Sequence, residues 1–272
     1  MTTKKATLWF AFWVGLALIF NLGVYIFMGQ TAALEFFGGY IIEQSLSLDN
    51  LFLFIVIFSR YGISASYQRR VLNYGIIGAI ILRAIFIVLG VAVVNMFSWI
   101  LYFFGILLIV SGIKMFFGHD EEADVKESKT LKLIGKFVPI SYTLDGQKFF
   151  TKINGKTYAT LLFAILVLIE ISDIIFAVDS IPAIFSITTN TFIIYTSNLF
   201  AILGLRSLYF LIEKLHSAFD YVKYGVACIL IFTGVKLGIL YFGIHISIIH
   251  SIAIIAGILA ISIVVSILFD RE

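Results

Sequence analysis

The segment EISDIIFAVDS occupies residues 170–180, in the middle of an apolar run that extends from 158 to 186. A second apolar run, 36–58, encloses the similar segment EQSLSLDN at residues 43–50. Both runs have the length of a transmembrane helix, for which about 20 apolar residues suffice. A carboxylate at the centre of a bilayer costs about 3 kcal/mol on insertion scales. The five carboxylates in these segments therefore predict a chain that handles cations inside a membrane.

The composition independently predicts a helical membrane protein. Hydrophobic residues make up 61% of the 272 residues and charged residues only 13%, about half of the charged share of soluble domains. Apolar and polar residues do not alternate along the runs, as they would in the strands of a membrane barrel. The single cysteine, Cys228, excludes an intrachain disulfide and a CxxC metal or redox motif. Lipid is a predicted partner, and nucleic acid is not.

Apolar runs of sufficient length predict eight transmembrane helices in one membrane domain. Their expected bounds are 7–28, 36–58, 71–94, 97–117, 158–186, 190–212, 222–243 and 245–269. With this count, all lysines and arginines outside the spans lie on one side of the membrane. The loops on the other side contain neither residue; they lie near 29–35, 95–96, 187–189 and 243–245. The positive-inside rule then places both termini in the cytoplasm.

One long polar stretch, 118–157, is predicted to be a cytoplasmic loop. It contains an acidic cluster (Asp120, Glu121, Glu122 and Asp124), an amphipathic segment at 131–138, and two turn signals, Asp145-Gly146 and Asn154-Gly155. Residues 148–153, between the two turn signals, are predicted to contribute a small β-hairpin. The acidic cluster has the composition of a solvated loop, and cation binding is the alternative interpretation.

Polar landmarks recur in the same order in two parts of the chain, 36–117 and 158–243. Each part has two acids six residues apart, then an arginine, then a Gly-x-Lys motif. These residues are Glu43, Asp49, Arg83, Gly112 and Lys114 in the first part, and Asp173, Asp179, Arg206, Gly234 and Lys236 in the second. Because each part holds three spans, the second would enter the membrane from the opposite side. Such 3+3 inverted repeats are typical of secondary transporters, which bind substrate near the midplane. Chance similarity between apolar helices is the alternative.

The predicted binding site combines oxygen ligands from both parts. They are Glu43, Asp49 and Asn50 from the first, and Asp173, Asp179 and Ser180 from the second. One straight helix cannot gather its own pair, because residues six apart are displaced by about a third of a turn. Hard oxygen ligands favour Mn²⁺, Mg²⁺ or Ca²⁺ over Zn²⁺ or Cu²⁺. The metal is predicted as cargo, and no resident cofactor is expected.

Charged residues in the spans also need partners. The groups predicted to balance charge are Glu170, Arg83, Arg206, Lys114 and Lys236. In one interpretation the two arginines form a static ion-pair lattice that neutralises Glu43, Asp49 or Glu170. In the other, the same bases balance the carboxylates only while the cation is absent. Lys114 is close enough to a helix end to extend its amine to the membrane surface.

Segments 43–50, 170–183 and 200–209 resemble those of the TerC/Alx family of bacterial integral membrane proteins, and the resemblance covers about residues 36–243. It implies a LysE-like transporter of the bacterial cytoplasmic membrane that exports manganese. It also implies an association with tellurite resistance and with alkaline or metal stress. The acidic positions of the family correspond to Glu43, Asp49, Asp173 and Asp179.

Two classes of function follow. The first is a secondary transporter, not an enzyme, that expels Mn²⁺ or another hard divalent cation from the cytoplasm in exchange for protons. No GxxxxGK[ST] motif is present to bind ATP. The second is a membrane scaffold of a metal or tellurite stress-response complex, which would recruit soluble stress proteins through the 118–157 loop and move no metal. The choice among Mn²⁺, Ca²⁺ and Mg²⁺ and the oligomeric state stay open.

Overall fold

The computed structural model describes residues 3–117, 138–141, 143–153, 155–213 and 221–269. Eight helices in this part of the chain are long and apolar enough to cross a membrane. They are α1 (Thr3–Met28), α2 (Gln30–Arg60), α3 (Ala65–Met96), α4 (Ile100–Phe117), α5 (Leu161–Phe185), α6 (Thr191–Ile212), α7 (Val222–Ile239) and α8 (Ile248–Phe269). The predicted all-α polytopic class and the number of spans are confirmed.

Helices α2 and α3 begin about six residues before the apolar runs from which they were predicted. Polar side chains in these extra turns find partners inside the bundle. Near the start of α2, Glu35 accepts a hydrogen bond of 2.8 Å from the hydroxyl of Thr188. In the first turn of α3, buried Gln68 donates to the carbonyl oxygen of Ile63 at 3.0 Å. A hydropathy pattern leaves such turns out of the predicted spans, because hydropathy does not account for the hydrogen-bond partners of their polar side chains.

A small sheet precedes α5. Its strands are β1 (Ile140–Ser141), β2 (Phe150–Ile153) and β3 (Lys156–Thr160), in the order β1-β3-β2. Strands β2 and β3 are antiparallel, with Ile153 opposite Lys156, so a hairpin is present where the turn signal at 154–155 indicated one. Its second strand lies beyond the predicted segment 148–153. The acidic cluster at 120–124 and residues 131–137 of the predicted amphipathic segment lie outside the described residues.

The hairpin is fixed to the end of the bundle where α3 and α5 begin. The hydroxyl of Thr160 accepts a bond from the amide of Phe163 at the start of α5 and donates to the carbonyl of Lys148 at 2.8 Å. The ring of Phe149 packs edge-on against Tyr74 of α3, with 5.0 Å between centroids. The guanidinium of Arg70 lies 5.1 Å from the same Phe149 ring. We refer to this end of the bundle as the hairpin end.

Contacts between helices pair the two predicted repeats reciprocally. Helix α4, the third of the first repeat, packs against α7, the third of the second. Helix α2 packs against α6 and α3 against α5, so the first helix of each repeat contacts the second helix of the other. Helix α1 packs on α6 and α2, and α8 packs on α7 and α2. This exchange of neighbours is what a twofold relation between two halves would produce.

Residue contacts between α4 and α7 follow the same exchange. Gly112 lies against Ala227 and Ile231, whereas Gly234 lies against Gly105 and Ile109. The offset that matches Gly112 to Gly234 also matches Ile109 to Ile231 and Gly105 to Ala227. Contacts that advance along α4 retreat along α7, so the two helices are antiparallel. The reciprocity supports the inverted repeat, which stays a prediction.

We expect Gly112→Ala and Gly234→Ala to force α4 and α7 apart. A Cβ atom would lie 2.7 Å from the carbonyl oxygen of Ala227 in the first variant and 2.6 Å from that of Gly105 in the second. Backbone atoms cannot move aside as readily as a flexible side chain. The free energy of unfolding of each variant should therefore fall by about 1–3 kcal/mol, the usual cost of overpacking. Thermal unfolding in detergent would measure the loss.

Gly238→Ala is the matched control for this close approach. Position 238 is one turn further along α7, and a Cβ atom there would meet nothing within 4 Å. Alanine is favoured over glycine in a helix by about 0.5–1 kcal/mol, so this variant should be as stable as the unchanged protein or more so. An equal loss in all three variants would contradict the packing argument.

Candidate cation site

Arg83 of α3 lies at the centre of a buried cluster of polar groups and is 1% exposed. Its Nε and Nη2 atoms donate to the two carboxylate oxygens of Asp173 at 3.4 and 3.3 Å. Its Nη1 atom donates to Glu43, to the hydroxyl of Ser180 at 3.2 Å and to the amide oxygen of Asn198 at 2.8 Å. We call these five residues the Arg83 cluster. It joins α2, α3, α5 and α6, and its two acids come from different predicted repeats.

Helix geometry explains why these side chains meet. Asp173 and Ser180 are seven residues apart on α5 and so share one face. Glu43 and Ser47 are four residues apart on α2, and the hydroxyl of Ser47 donates to the Oε1 atom of Glu43 at 3.3 Å. Glu43, Arg83 and Asp173 each lie near the middle of their helices. The cluster is therefore far from both ends of the bundle.

The Arg83 cluster has more hydrogen-bond acceptors than one guanidinium can bind and more negative charge than it can neutralise. Two carboxylates face a single arginine, which leaves one negative charge in excess when all three groups are ionised. Glu43 is fully buried, and its Oε2 atom has no hydrogen-bond partner among the described residues. A buried acceptor without a partner costs about 1–3 kcal/mol. The free oxygen is thus available to a further cation.

Of the six predicted ligands, the described structure brings three together: Glu43, Asp173 and Ser180. Asp179 lies apart from the Arg83 cluster and accepts a hydrogen bond of 3.0 Å from the hydroxyl of Ser111 on α4. The reason is geometric, because residues 173 and 179 point in directions about a third of a turn apart. Asn50 is buried on α2. Position 49 is helical, and the side chain of Asp49 lies outside the described part of the structure.

No three acidic, histidine or cysteine side chains surround a common point in the described residues. Two carboxylates, one hydroxyl and one amide oxygen do converge, but on the guanidinium of Arg83. The predicted convergence of four carboxylates is therefore not seen among described side chains. The cationic group at the meeting point of the acids is part of the protein itself.

The two repeat-related arginines have different partners. Arg83 pairs with Glu43, as the ion-pair interpretation predicted, and also with Asp173. Arg206 forms no ion pair with a described acid, and its guanidinium donates to the amide oxygen of Asn73 on α3. Asn73 supplies an oxygen without charge and satisfies Arg206 where no described carboxylate reaches it.

The repeat-related lysines differ in exposure. Lys114 is exposed on α4, which fits an amine that extends to the membrane surface. Lys236 is only 5% exposed on α7. Neither lysine forms an ion pair with a described residue, so no described acid is neutralised by them.

A small cavity adjoins the Arg83 cluster toward the hairpin end. It has a volume of about 30 Å³ and is bounded by helices α2, α3, α5 and α6. Its polar lining residues are Glu170, Asp173 and Arg206. Cavities of this size hold one or two water molecules. Asp173 is shared, since it contributes both to the cavity wall and to the Arg83 cluster.

The profile of the family described as "Integral membrane protein TerC family" matches residues 28–272. The chain belongs to this family. A TerC relative from Myxococcus xanthus, described as an uncharacterized membrane protein, is 46% identical, with 99% of this chain and 84% of the relative aligned. The Escherichia coli K12 protein named "Putative membrane-bound redox modulator Alx" is 43% identical over 98% of this chain and 85% of its own length. No solved structure matches the chain.

Family membership confirms the resemblance found in the acidic segments. Glu43, Asp173 and Arg83 all lie within the matched residues. TerC is a family of membrane proteins and its description carries no enzymatic activity.

Sequence reasoning missed Asn198 as a member of the Arg83 cluster. Its side-chain nitrogen donates to the carbonyl of Ile194 at 3.0 Å, which aims the amide oxygen at Arg83. Asn198 is 1% exposed in the second half of the chain, in the span predicted at 190–212. The available signal was an amide side chain in the middle of an apolar run. The other repeat has no amide at the corresponding position, so the comparison of repeats did not single it out.

Proposed function

We propose that this TerC-family protein is a secondary transporter that exports a divalent cation, Mn²⁺ before Ca²⁺ or Mg²⁺, from the cytoplasm in exchange for protons. The observation that carries the proposal is the meeting of Glu43 and Asp173, one acid from each predicted repeat, on one buried guanidinium. Inverted-repeat transporters bind their substrates near the midplane, where the two repeats meet. Acids buried inside transmembrane segments commonly mark substrate or ion pathways and proton relays.

In the proposed mechanism, the guanidinium of Arg83 occupies the cation site while no metal ion is bound. The guanidinium binds both Glu43 and Asp173 and offsets one of their two negative charges, so the empty protein does not bury two bare carboxylates. A divalent cation that binds these acids must displace the guanidinium. The oxygens then freed are those of Glu43, Asp173, Ser180 and Asn198. A ligand set made only of oxygen suits Mn²⁺, Mg²⁺ or Ca²⁺.

Protons compete with the cation in this mechanism. Carboxylates ligate metal only in their ionised form, so apparent affinity for metal falls as pH falls. Asp49 and Asp179 are proposed to join the ligands in another conformation of the transporter, and Lys236 to balance their charge. Export then requires that the carboxylates lose protons on the side where they collect metal.

The test is metal flux in proteoliposomes that contain the purified protein. With a proton gradient imposed, we expect transport of Mn²⁺, weaker transport of Ca²⁺ or Mg²⁺, and least of Zn²⁺. Liposomes without protein give the background. A scaffold that recruits soluble stress proteins through residues 118–157, in a metal or tellurite stress-response complex, would move none of these ions. The same assay therefore separates the two classes of function.

The name of the Alx relatives suggests a redox role, which the cysteine content limits. Cys228 is the one cysteine of this chain, so a single copy cannot cycle between a dithiol and a disulfide. We propose that any redox effect of this protein is indirect and follows from the divalent cations it moves. Cys228→Ser should then leave metal flux unchanged.

We further propose that the protein lies in the bacterial cytoplasmic membrane with both termini and the hairpin end in the cytoplasm. Reporter tags at the N-terminus, within residues 118–137 and at the C-terminus are expected to report the cytoplasm. The one-sided distribution of Lys and Arg is the reason. A periplasmic signal from the N-terminal tag alone would remove α1 from the count of spans, and three periplasmic signals would invert the proposed orientation.

A further inference from the structure

We propose that Glu170 carries the exchanged proton, at a position distinct from the Arg83 cluster that binds the cation. The inference rests on the proposed exchange of a divalent cation for protons and assigns one step of it to one side chain. Glu170 lies on α5, three residues before Asp173, and lines the cavity beside the cluster. The Glu170 carboxyl group packs against helix α3.

Two glycines of α3 form a notch for the Glu170 carboxyl group. A Cβ atom at position 78 would overlap the carboxyl group, so only glycine admits it there. A Cβ atom at Gly75, nearly one turn earlier, would lie 3.7 Å from the Oε1 atom of Glu170. The carboxyl group thus packs directly against helix backbone. Because both residues of the notch are glycines, the notch contains no charged side chain that could neutralise the Glu170 carboxylate.

The Glu170 carboxyl group has no ionic or hydrogen-bonding partner among the described residues, and its Oε2 atom is buried. An ionised carboxylate in such a place would be strongly penalised, whereas a neutral carboxylic acid is tolerated far better. The geometry therefore suits a protonated side chain. This differs from Glu43 and Asp173, which both accept hydrogen bonds from a guanidinium.

Charged groups near Glu170 are already engaged with other partners. From α5, Asp173 faces the same cavity but binds Arg83 of α3. From α6, Arg206 lines the cavity but donates to Asn73 of α3. Helix α2 contributes the apolar side chains Leu51 and Phe54. No described base forms an ion pair with Glu170, so a bound proton supplies the compensation in this proposal.

The position of Glu170 couples its proton to the cation. Residues three apart on a helix have Cβ atoms about 5–6 Å apart, so the charge states of Glu170 and Asp173 influence each other. When Glu170 changes from carboxylic acid to carboxylate, one proton leaves and one negative charge appears beside the cluster. That charge strengthens attraction for a divalent cation, and an arriving cation favours release of the proton. Glu170 lies toward the hairpin end, so the proton leaves on the proposed cytoplasmic side.

The experiment compares two transport modes of Glu170→Gln in proteoliposomes. Net Mn²⁺ flux driven by a proton gradient needs the proton to be bound and released. Exchange of Mn²⁺ for Mn²⁺ at equal pH needs only the cation site. We expect net flux to fall about a hundredfold, the usual effect of removing a proton-transferring side chain. Exchange measured at saturating Mn²⁺ should stay within about twofold of the unchanged protein, because glutamine retains the shape of the neutral acid and leaves the Arg83 cluster unchanged.

Two further variants secure the interpretation. Glu35→Gln removes another acid of the helical bundle, one that binds Thr188 far from the cavity, and should leave both modes unchanged. Glu170→Asp keeps a titratable acid and should retain more net flux than Glu170→Gln. If Glu170→Gln does not yield folded protein, two other variants decide the question. Glu170→Asp keeps a titratable acid, and Gly78→Ala obstructs the notch. Net flux and exchange are then measured in both.

Infrared difference spectroscopy gives a readout that does not depend on transport. The carbonyl stretch of a buried protonated carboxylic acid should be present in the metal-free protein, disappear on addition of Mn²⁺, and be absent in Glu170→Gln. Loss of both transport modes in a folded Glu170→Gln variant would overturn the proposal, and so would retention of both. Absence of any flux in the unchanged protein would instead refute the proposed function, and the infrared band would still report whether Glu170 holds a proton.

Discussion

Asp173→Asn is expected to reduce metal export to the background of liposomes without protein. Both oxygens of Asp173 accept bonds from Arg83, and the same carboxylate is a proposed cation ligand. The amide keeps the shape but removes the charge, and it replaces one of the two acceptor oxygens with an N–H donor group. Removing one partner from a buried ion pair costs about 3–5 kcal/mol. Applied to the bound cation, that loss weakens binding by about a hundredfold to several thousandfold, at 1.4 kcal/mol per factor of ten.

The measurement is Mn²⁺ flux in proteoliposomes, with folded protein verified by gel filtration. Asp145→Asn is the matched control, since it makes the same chemical change in the loop before the hairpin. Hydrogen bonds from Thr151 and Lys148 lower the pKa of Asp145, so a real carboxylate is removed there as well. Flux by Asp145→Asn should match the unchanged protein. Undiminished flux by Asp173→Asn would refute the role of the Arg83 cluster in cation binding.

Asp179→Asn extends this comparison to an acid outside the cluster. Its carboxylate binds Ser111 on α4, so the substitution leaves the contacts of Arg83 intact. Loss of flux with unchanged stability would show that Asp179 joins the ligands in another conformation.

The class of the fold could be predicted because the physical signal is local. A run of about 20 apolar residues is sufficient to indicate a span, and the interior of each helix satisfies its own backbone. The central acids could be identified for a related reason. Glu43 and Asp173 stand out because a carboxylate in such a run is costly wherever the helix is placed.

One interpretation named Glu43 as a partner of the arginines, but the choice between Arg83 and Arg206, and the pairing with Asp173, could not be predicted, because they depend on how helices pack. The repeat treats Arg83 and Arg206 as equivalents, yet among the described side chains only Arg83 reaches acids on both α2 and α5. Arg206 lies next to Asn73, a pairing between α3 and α6 that no spacing within one helix encodes. The separation of Asp179 from Asp173 is different. Helix geometry alone places them on different faces, so one straight helix cannot bring both to one cation; a shared site needs a bent helix or ligands from both repeats.

Arg83→Gln is expected to make the stability of the protein depend on metal. Without metal, the variant buries Glu43 and Asp173 with no cation between them, which should cost about 3–5 kcal/mol. For a chain of this size, with a shift of about 2–4 °C per kcal/mol, the melting temperature should fall by about 10 °C. In the unchanged protein, Arg83 already binds both acids, so added metal must compete with the guanidinium for them.

The variant should therefore gain more stability from Mn²⁺ than the unchanged protein gains. Binding stabilises by RT ln(1 + [L]/Kd), which is about 2.7 kcal/mol at a hundred times the Kd, and the Kd is lower when no guanidinium must leave. Arg206→Gln is the matched control: it loses a hydrogen bond to Asn73, worth about 1 kcal/mol, and its shift with Mn²⁺ should equal that of the unchanged protein. Melting temperatures in detergent, with a chelator and with Mn²⁺, measure both shifts. If Arg83→Gln is equally unstable in both conditions, the two acids do not accept a metal ion in the place of the guanidinium, and Arg83 is a structural counter-ion alone.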